Sequence, residues 1–525
     1  MVLRPHGRFA LLTRTYLARR LPIYPCIYIS QRSITTANDS SLSFQSHKKL
    51  PNAPARTRFA PSPTGYLHLG SLRTALYNYL LAKATGGQFL LRIEDTDQKR
   101  TIPDALERIC QDLEWTGLQW DEGPKVGGSY GPYIQSERIA IYRQHANQLL
   151  DSGHAYRCFC SAERLHELGQ LRSKLGLSTD YDRTCAGISK EDSDDRAFRG
   201  ERYTIRLKAP DAYPAFKDVV YGGVGKPTRE ARKLTHGQQV FEDPILLKSD
   251  GWPTYHLANV VDDHLMKITH VVRAVEWMPS TPKHVYLYQA FGWTPPVFAH
   301  VGLLQGPDNQ KLSKRSGDID IGSYRSAGVF PEALLNFAAL LGWHHKQKSD
   351  MIELEQMISL FNFNLTKGNT VVNIPKLNYL SREYAKKYVQ EGGKKFQDIL
   401  QASITNLERH GITQAPRGKD LEEYVSLILR ADPTSILDMA NLSERLRSFF
   451  EWYPEDKAML RKPLVDAELL DLVYHDLRGV DDKQCLVGAS ALKKTSAYSL
   501  DYFLICEAYS WILEKDQEWL SRWRS

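Results

Sequence analysis

Between Arg56 and Ile93 the sequence spells a strand, a loop, a helix and a second strand, and that order leaves few folds open. The extended run 56–60 meets Pro61-Ser62-Pro63-Thr64-Gly65, whose prolines and glycine punctuate a loop. Leu72, Ala75, Leu76, Tyr79 and Leu80 then recur at helical spacing, and Gly86-Gly87 closes the predicted helix. The run 89–93 reads as the next strand. A β-α-β unit implies a parallel sheet with ligands at the C-terminal ends of its strands. Helical patterns over 104–118 and 136–150 continue the alternation. The expected fold class is therefore α/β, a Rossmann-like doubly wound parallel sheet.

The character of the chain changes near Ala155. A cysteine-bearing stretch, a charged polar segment over 189–201 and alternating Tyr203, Ile205 and Leu207 predict an inserted, mainly β-rich domain. Gly222-Gly223-Val224-Gly225-Lys226-Pro227 lacks the first glycine and the final hydroxyl residue of a phosphate loop and reads as a turn between strands. From Ser249 the chain returns to the first fold, with a helix over 284–291. Beyond about Lys346 the patterns are helical. Five segments result: 1–45, 51–155, 156–248, 249–345 and 346–525. This count suits 525 residues, too many for one core.

Charge locates the first segment. Six of the seven net positive charges fall in the first 38 residues, from Arg4, Arg8, Arg14, Arg19, Arg20 and Arg32, with no acid among them. That Arg-rich stretch runs into a Ser/Thr-rich one and has the composition of a mitochondrial transit peptide, which predicts the mitochondrial matrix. A basic tail that binds RNA or lipid is the alternative. The other 487 residues carry a net charge of +1, so bulk charge is no argument for nucleic acid. No window holds the roughly 18 uncharged apolar residues of a spanning helix, and no membrane contact is expected. Seven cysteines in so large a chain argue against a disulfide framework.

Two separated motifs point to chemistry. His68-Leu69-Gly70-Ser71 places an imidazole before a helix whose free N–H groups attract phosphate, with Gly70 permitting close approach. Far downstream, Lys311-Leu312-Ser313-Lys314-Arg315 sits in a polar loop where two ammonium groups can neutralise charge building on a leaving pyrophosphate. Together they resemble the HIGH and KMSKS signatures of class I aminoacyl-tRNA synthetases. The runs Arg58-Phe59-Ala60-Pro61-Ser62-Pro63-Thr64-Gly65, Arg92-Ile93-Glu94-Asp95-Thr96-Asp97, Tyr255-His256-Leu257-Ala258-Asn259-Val260-Val261-Asp262-Asp263-His264 and Arg273-Ala274-Val275-Glu276-Trp277 are similar to the glutamyl-tRNA synthetases.

The resemblance implies a catalytic domain split by an acceptor-stem-binding insertion and followed by an all-helical anticodon-binding domain. It implies that Arg58, Phe59, Ala60, Ser62, Glu94, Tyr255, Asn259 and Arg273 bind L-glutamate. The residue types suit that ligand: Arg58 and Arg273 face two carboxylates, Tyr255 and Asn259 donate, and Glu94 with Ser62 takes the ammonium. ATP with Mg²⁺ is implied at His68, Gly70, Glu276, Trp277, Lys311, Leu312, Ser313, Lys314 and Arg315, with His68, Lys311 and Lys314 catalytic and no covalent intermediate. The implied partners are tRNA(Glu) and, as a further acceptor, tRNA(Gln); a monomer is the default.

Several questions stay open in the sequence. Cys158, Cys160, Tyr181 and Cys185 offer an incomplete zinc pattern, because Gly187 stands where zinc-containing relatives carry another ligand. Buried free thiols are the equal alternative. A glutaminyl-tRNA synthetase is the nearest rival within the class. A tRNA-base-modifying glutamyl transferase or a small nucleotidyltransferase would lack the long helical region after the catalytic half.

Overall fold

The computed structural model describes residues 50–176, 181–225, 242–307, 310, 320–415, 420–431 and 433. The expected transit peptide at 1–45 and most of the region beyond residue 431 lie outside the described residues.

Strand β1 (Arg56–Phe59), helix α1 (Leu69–Ala84) and strand β2 (Gln88–Leu91) form the opening β-α-β unit. The strands are parallel, with Arg56 opposite Gln88 and Phe59 opposite Leu91. Helix α1 starts at His68, whose backbone is extended and whose ring accepts from the Ser71 N–H. It ends before Gly86, at φ +67°. Gly87 is required for a steric reason: a Cβ there would stand 1.9 Å from the Ala55 carbonyl oxygen, which itself accepts from the Gln88 N–H at 3.1 Å. The close return of β2 beside β1 depends on that missing side chain.

Helices α2 (Ala105–Trp115) and α3 (Ile139–Asp151) follow where the periodicity predicts them. Next come β3 (Ala155–Cys158), α4 (Ala162–Lys174), α5 (Lys190–Phe198), β4 (Thr204–Leu207), β5 (Phe216–Asp218), β6 (Gly222–Val224) and β7 (Ile245–Leu247). Strands β3, β4 and β7 make an antiparallel sheet in that order. The expectation of a mainly β-rich insertion is corrected here, since α4 and α5 hold more residues than the short strands. The polar 189–201 segment is helical because Ser189 caps α5, accepting from the Asp192 N–H, and Glu191 and Asp192 occupy its first turn. The supposed turn at Gly222-Gly223-Val224 is strand β6, paired antiparallel with β5.

Helix α6 (Tyr255–Leu265), β8 (His270–Ala274), α7 (Thr281–Ala290), β9 (Val297–Val301) and β10 (Leu304–Gln305) restore the first layer. Strands β8 and β9 are parallel. Strand β1 flanks β8 on its other side: the Thr269 N–H donates to the Arg56 carbonyl at 2.9 Å, and the Arg56 N–H to Thr269 Oγ1 at 2.8 Å. The Asn78 amide of α1 reaches the Val272 carbonyl at 2.9 Å. The lateral order is thus β2, β1, β8, β9, β5, β6, in which β2 with β1, β8 with β9 and β9 with β5 are parallel pairs. Strand order runs outward in opposite senses from the β1–β8 junction, to β2 on one side and to β9 on the other, the kind of switch point where open α/β sheets bind ligands.

Helices α8 (Ile321–Ser326), α9 (Pro331–Leu340) and α10 (Leu354–Leu360) precede β11 (Thr370–Val371), a two-residue partner of β10. Helices α11 (Ile374–Glu391), α12 (Gly393–Arg409) and α13 (Leu421–Ala431) complete the described elements. The core crosses residue 346 without a break: Leu72, Leu76 and Leu80 share one buried cluster with Phe337, Trp343, Met357, Leu380 and Tyr384. The Tyr77 hydroxyl ties α1 to the Ala339 carbonyl at 3.0 Å. Among the described residues no helix is long and apolar enough to cross a membrane.

Candidate active site

A cavity of about 440 Å³ opens at the C-terminal ends of β1 and β8. Arg58, Phe59, Ala60 and Ser62 line it from β1 and the loop beyond, His68 and Gly70 from the start of α1, and Glu94 from just past β2. Tyr255 and Asn259 enter from α6, Arg273 from β8, and Glu276 with Trp277 from the turn that follows. Twelve of the residues nominated by sequence thus surround one space. Lys311, Leu312, Ser313, Lys314 and Arg315 lie outside the described residues. The chain re-enters the described structure beside His68, where Asp320 forms a bridge to it and the Ile321 N–H donates to the Leu67 carbonyl at 2.9 Å.

Three buried arginines line the cavity; Arg73 donates to the Leu341 and Gly302 carbonyls, and the surroundings of Arg58 and Arg273 differ. Arg58 donates from Nε to Asp263 Oδ1 at 3.0 Å, and Arg92 meets the same oxygen at 2.6 Å. Burial alone would raise the Asp263 pKa, but the two guanidinium groups outweigh it and hold the carboxylate below its ordinary value. Arg92 also reaches Glu94 Oε1 at 2.9 Å, an oxygen that accepts from Asn259 Nδ2 at 3.3 Å. In this structure Asn259 therefore orients Glu94, while Glu94 Oε2 makes no bond to a described residue.

Arg273, 4% exposed, has neutral partners alone among the described residues. Its Nε donates to His300 Nε2 at 3.2 Å, and its Nη1 to the Tyr255 hydroxyl at 3.0 Å and to His284 Nδ1 at 3.3 Å. Its Nη2 donates to Thr281 Oγ1 at 2.7 Å. His284 in turn meets His256 Nδ1 through Nε2 at 3.0 Å. Burial first, then the neighbouring Arg273 charge, drives His284 well below its ordinary pKa, and burial lowers His256 to about 4. Neutral imidazoles leave the guanidinium charge undivided and available to an anion in the cavity.

The phosphate side is built by the start of α1. His68 Nδ1 accepts from the Ser71 N–H at 3.3 Å, and its Nε2 lies 3.0 Å from Ser71 Oγ. A side chain at Gly70 would stand 3.1 and 3.2 Å from that ring. The Trp277 ring packs on Tyr255 with centroids 4.1 Å apart, giving the opposite wall an aromatic face.

Comparison with known proteins decides the family. The domain family described as tRNA synthetases class I (E and Q), catalytic domain, matches residues 54–379. The glutamate–tRNA ligase of Finegoldia magna is 39% identical over 455 residues, 84% of this chain and 89% of that relative. The chain belongs to the glutamate–tRNA ligases. A mitochondrial glutamate–tRNA ligase of Saccharomyces cerevisiae is 48% identical over 347 residues, which is 65% of this chain and 62% of the yeast protein, less than two thirds of its length. A crystal structure of a glutamate tRNA ligase from Elizabethkingia meningosepticum in complex with its amino acid matches with a TM-score of 0.67 at 33% identity, covering 82% of this chain and 87% of that one.

Away from the cavity, this ligase gathers the sulfur atoms of Cys158, Cys160 and Cys185 within 4.8 Å of one another. The Tyr181 hydroxyl lies 3.3 Å from Cys158 Sγ and 3.2 Å from Cys160 Sγ. Hydrogen bonds from Cys185 and then Tyr181 outweigh burial and lower the Cys158 thiol from its ordinary value. Three thiols and a phenol converging on one point fit a tetrahedral zinc ion in donor type and spacing.

Sequence reasoning missed the residues behind Arg273. Asp218, Thr281, His284 and His300 come from three separate elements, and no local pattern marks them. Arg92 and Asp263 stood inside the runs that carry the family resemblance, but only the fold shows that they brace Arg58 and Glu94.

Proposed function

We propose that this ligase activates L-glutamate with Mg-ATP in the cavity between β1 and β8, then transfers the glutamyl group to the 3′-terminal ribose of tRNA(Glu) in the mitochondrial matrix. The observation that carries this reading is the charge arrangement: buried Arg58 and Arg273 line one space together with Glu94, which suits a ligand with two carboxylates and an ammonium, while Arg73 is spent on the Leu341 and Gly302 carbonyls and Glu276 lies at the exposed edge. Arg58 and Arg273 take the carboxylates, and Glu94, with Ser62, takes the ammonium. Phe59 and Ala60 present backbone beside them. ATP lies between the start of α1 and the Glu276-Trp277 turn.

The α-carboxylate of glutamate attacks the α-phosphate, forming glutamyl adenylate as pyrophosphate leaves. His68 donates to the phosphoryl oxygens as charge develops, and Lys311 and Lys314, with Leu312, Ser313 and Arg315 beside them in the sequence, neutralise the pyrophosphate. The terminal ribose hydroxyl then attacks the acyl carbon and AMP departs. The 156–248 segment serves the acceptor stem, the 346–525 region the anticodon arm, and the enzyme works as a monomer. Cys158, Cys160, Tyr181 and Cys185 would hold a structural zinc ion in the insertion, where it would fix the turn without touching substrate. Elemental analysis that finds no zinc in the purified, chelator-free protein would remove that part of the reading.

The test of function is aminoacylation by the chain without residues 1–45, with labelled glutamate or glutamine and separate mitochondrial tRNA(Glu) and tRNA(Gln). Glutamate on tRNA(Glu) is the expected product. Loading of tRNA(Gln) as well would add a second acceptor, and no glutamate on either would overturn the assignment.

A further inference from the structure

We infer that Asp218 and His300 are positioning residues that hold Arg273 with its charge undivided, and that this pair sets the preference for a carboxylate over an amide at that end of the substrate. The inference rests on the glutamate reading of the cavity and names two residues that no motif marks.

The contacts of Asp218 settle the tautomer of His300. Asp218 Oδ1 accepts from the Val220 and Tyr221 N–H groups at 2.9 and 2.8 Å. Asp218 Oδ2 accepts from the His300 backbone N–H at 3.0 Å and lies 2.7 Å from His300 Nδ1. Both side chains are fully buried. Because a carboxylate can only accept, Nδ1 carries the imidazole proton, and Nε2 keeps its lone pair for the Arg273 Nε–H. Thr281 Oγ1 lies 3.0 Å from that same nitrogen and takes the Arg273 Nη2 proton.

The interposed ring explains the design. A carboxylate in direct contact would orient Arg273 equally well, but it would form an ion pair and cancel the charge that an anionic ligand needs, as Asp263 does in part for Arg58. The imidazole transmits orientation while holding the negative charge one ring away. His284 repeats the device on Nη1 with His256 behind it. Four of the five guanidinium N–H groups therefore meet neutral acceptors, and the fifth is left for the ligand. A substrate amide meeting this group would gain no charge–charge attraction, whereas a carboxylate would. Asp218 lies on β5, which joins the catalytic sheet through β9, so the segment arriving from the insertion supplies the brace.

The test compares His300→Leu, His300→Gln and Asp218→Asn in aminoacylation of tRNA(Glu), with KM measured separately for glutamate and ATP, L-glutamine as competitor, and melting temperature recorded. His300→Leu is expected to raise the glutamate KM by about tenfold or more, the effect of losing a hydrogen bond to a charged group, with ATP KM within about twofold and weaker discrimination against glutamine. His300→Gln, whose side-chain oxygen can take the Arg273 proton, is expected to recover most of the loss. Asp218→Asn should fall between them, because its NH2 would face donors. An unchanged glutamate KM in a well-folded His300→Leu protein, or glutamate and ATP KM rising in parallel, would overturn the proposal. Should His300→Leu fail to fold, a raised glutamate KM in Asp218→Asn beside a near-normal one in His300→Gln supports it, and equal values overturn it. Failure of the unmodified protein to charge tRNA with glutamate would sink the functional reading instead.

Discussion

Arg273 and His68 separate binding from chemistry at the scale of single residues. A guanidinium buried among neutral partners stabilises a ligand carboxylate strongly, because no carboxylate among the described residues competes for it. Arg273→Ala should therefore lower kcat/KM for glutamate by roughly 10²–10³, the loss expected when one partner of a buried charged pair is removed. ATP affinity should change little. Near-normal glutamate kinetics would remove Arg273 from the carboxylate site. His68 stands at a helix N-terminus, where its contribution grows as negative charge moves onto phosphate oxygens. His68→Ala should slow adenylate formation by roughly 10²–10³ with substrate affinities retained, as for loss of one transition-state donor. An unchanged single-turnover rate would exclude that role.

Two glycines in the same β-α-β unit should respond differently, because one guards a functional side chain and the other guards the backbone. Gly70→Ala places a methyl 3.1 Å from the His68 ring, which can swing, so the rate should fall while melting temperature changes little. Gly87→Ala places one 1.9 Å from a carbonyl oxygen of the chain entering β1, so the strands must part. Its expected cost is about 2–3 kcal/mol of stability. Equal melting temperatures for the two variants would show that the strand approach is more yielding than its geometry. These elements are legible in the sequence because their signals are local: an apolar helical period in α1 and paired glycines after it. The insertion is less legible, since α4 and α5 are polar helices without a buried stripe and their caps are easily taken for loop residues. Of the twelve nominated cavity residues, His68 and Gly70 were legible in the loop-to-helix motif itself, and the other ten were nominated through family runs. Asp218 and His300 had no such run, and 82 positions separate them. Their relation exists only once β5 and β9 pair.

At the scale of the whole molecule, the cluster of buried imidazoles behind the cavity links function to folding. His256, His284 and His300 all lie below their ordinary pKa, with burial the largest cause for each. In the unfolded chain such a group takes a proton near pH 6.5. Folded His256 refuses it until about pH 4. Between those values the unfolded state binds more protons, so stability rises with pH: the contribution is fully present above about 6.5 and is lost as pH falls toward 4. For His256 the shift corresponds to about 3 kcal/mol at most. Asp112 works the other way, because burial raises its pKa to about 6 and the folded state keeps a proton that the unfolded state releases down to about pH 4. The lowered imidazoles are joined by His264 and His270, and by carboxylates held below their ordinary values such as Asp263, Glu122, Asp182 and Glu332. All of these lose stability in acid and outnumber Asp112, which predicts a net acid loss. Melting temperature should fall as pH is lowered from 6.5 to 4.5, and His256→Gln, which cannot titrate, should flatten that slope while leaving the Asp112 contribution in place. A slope identical to that of the unmodified protein would mean that His256 charges without opening the fold, and the imidazole cluster would then be a solvated edge of the site instead of its sealed back wall.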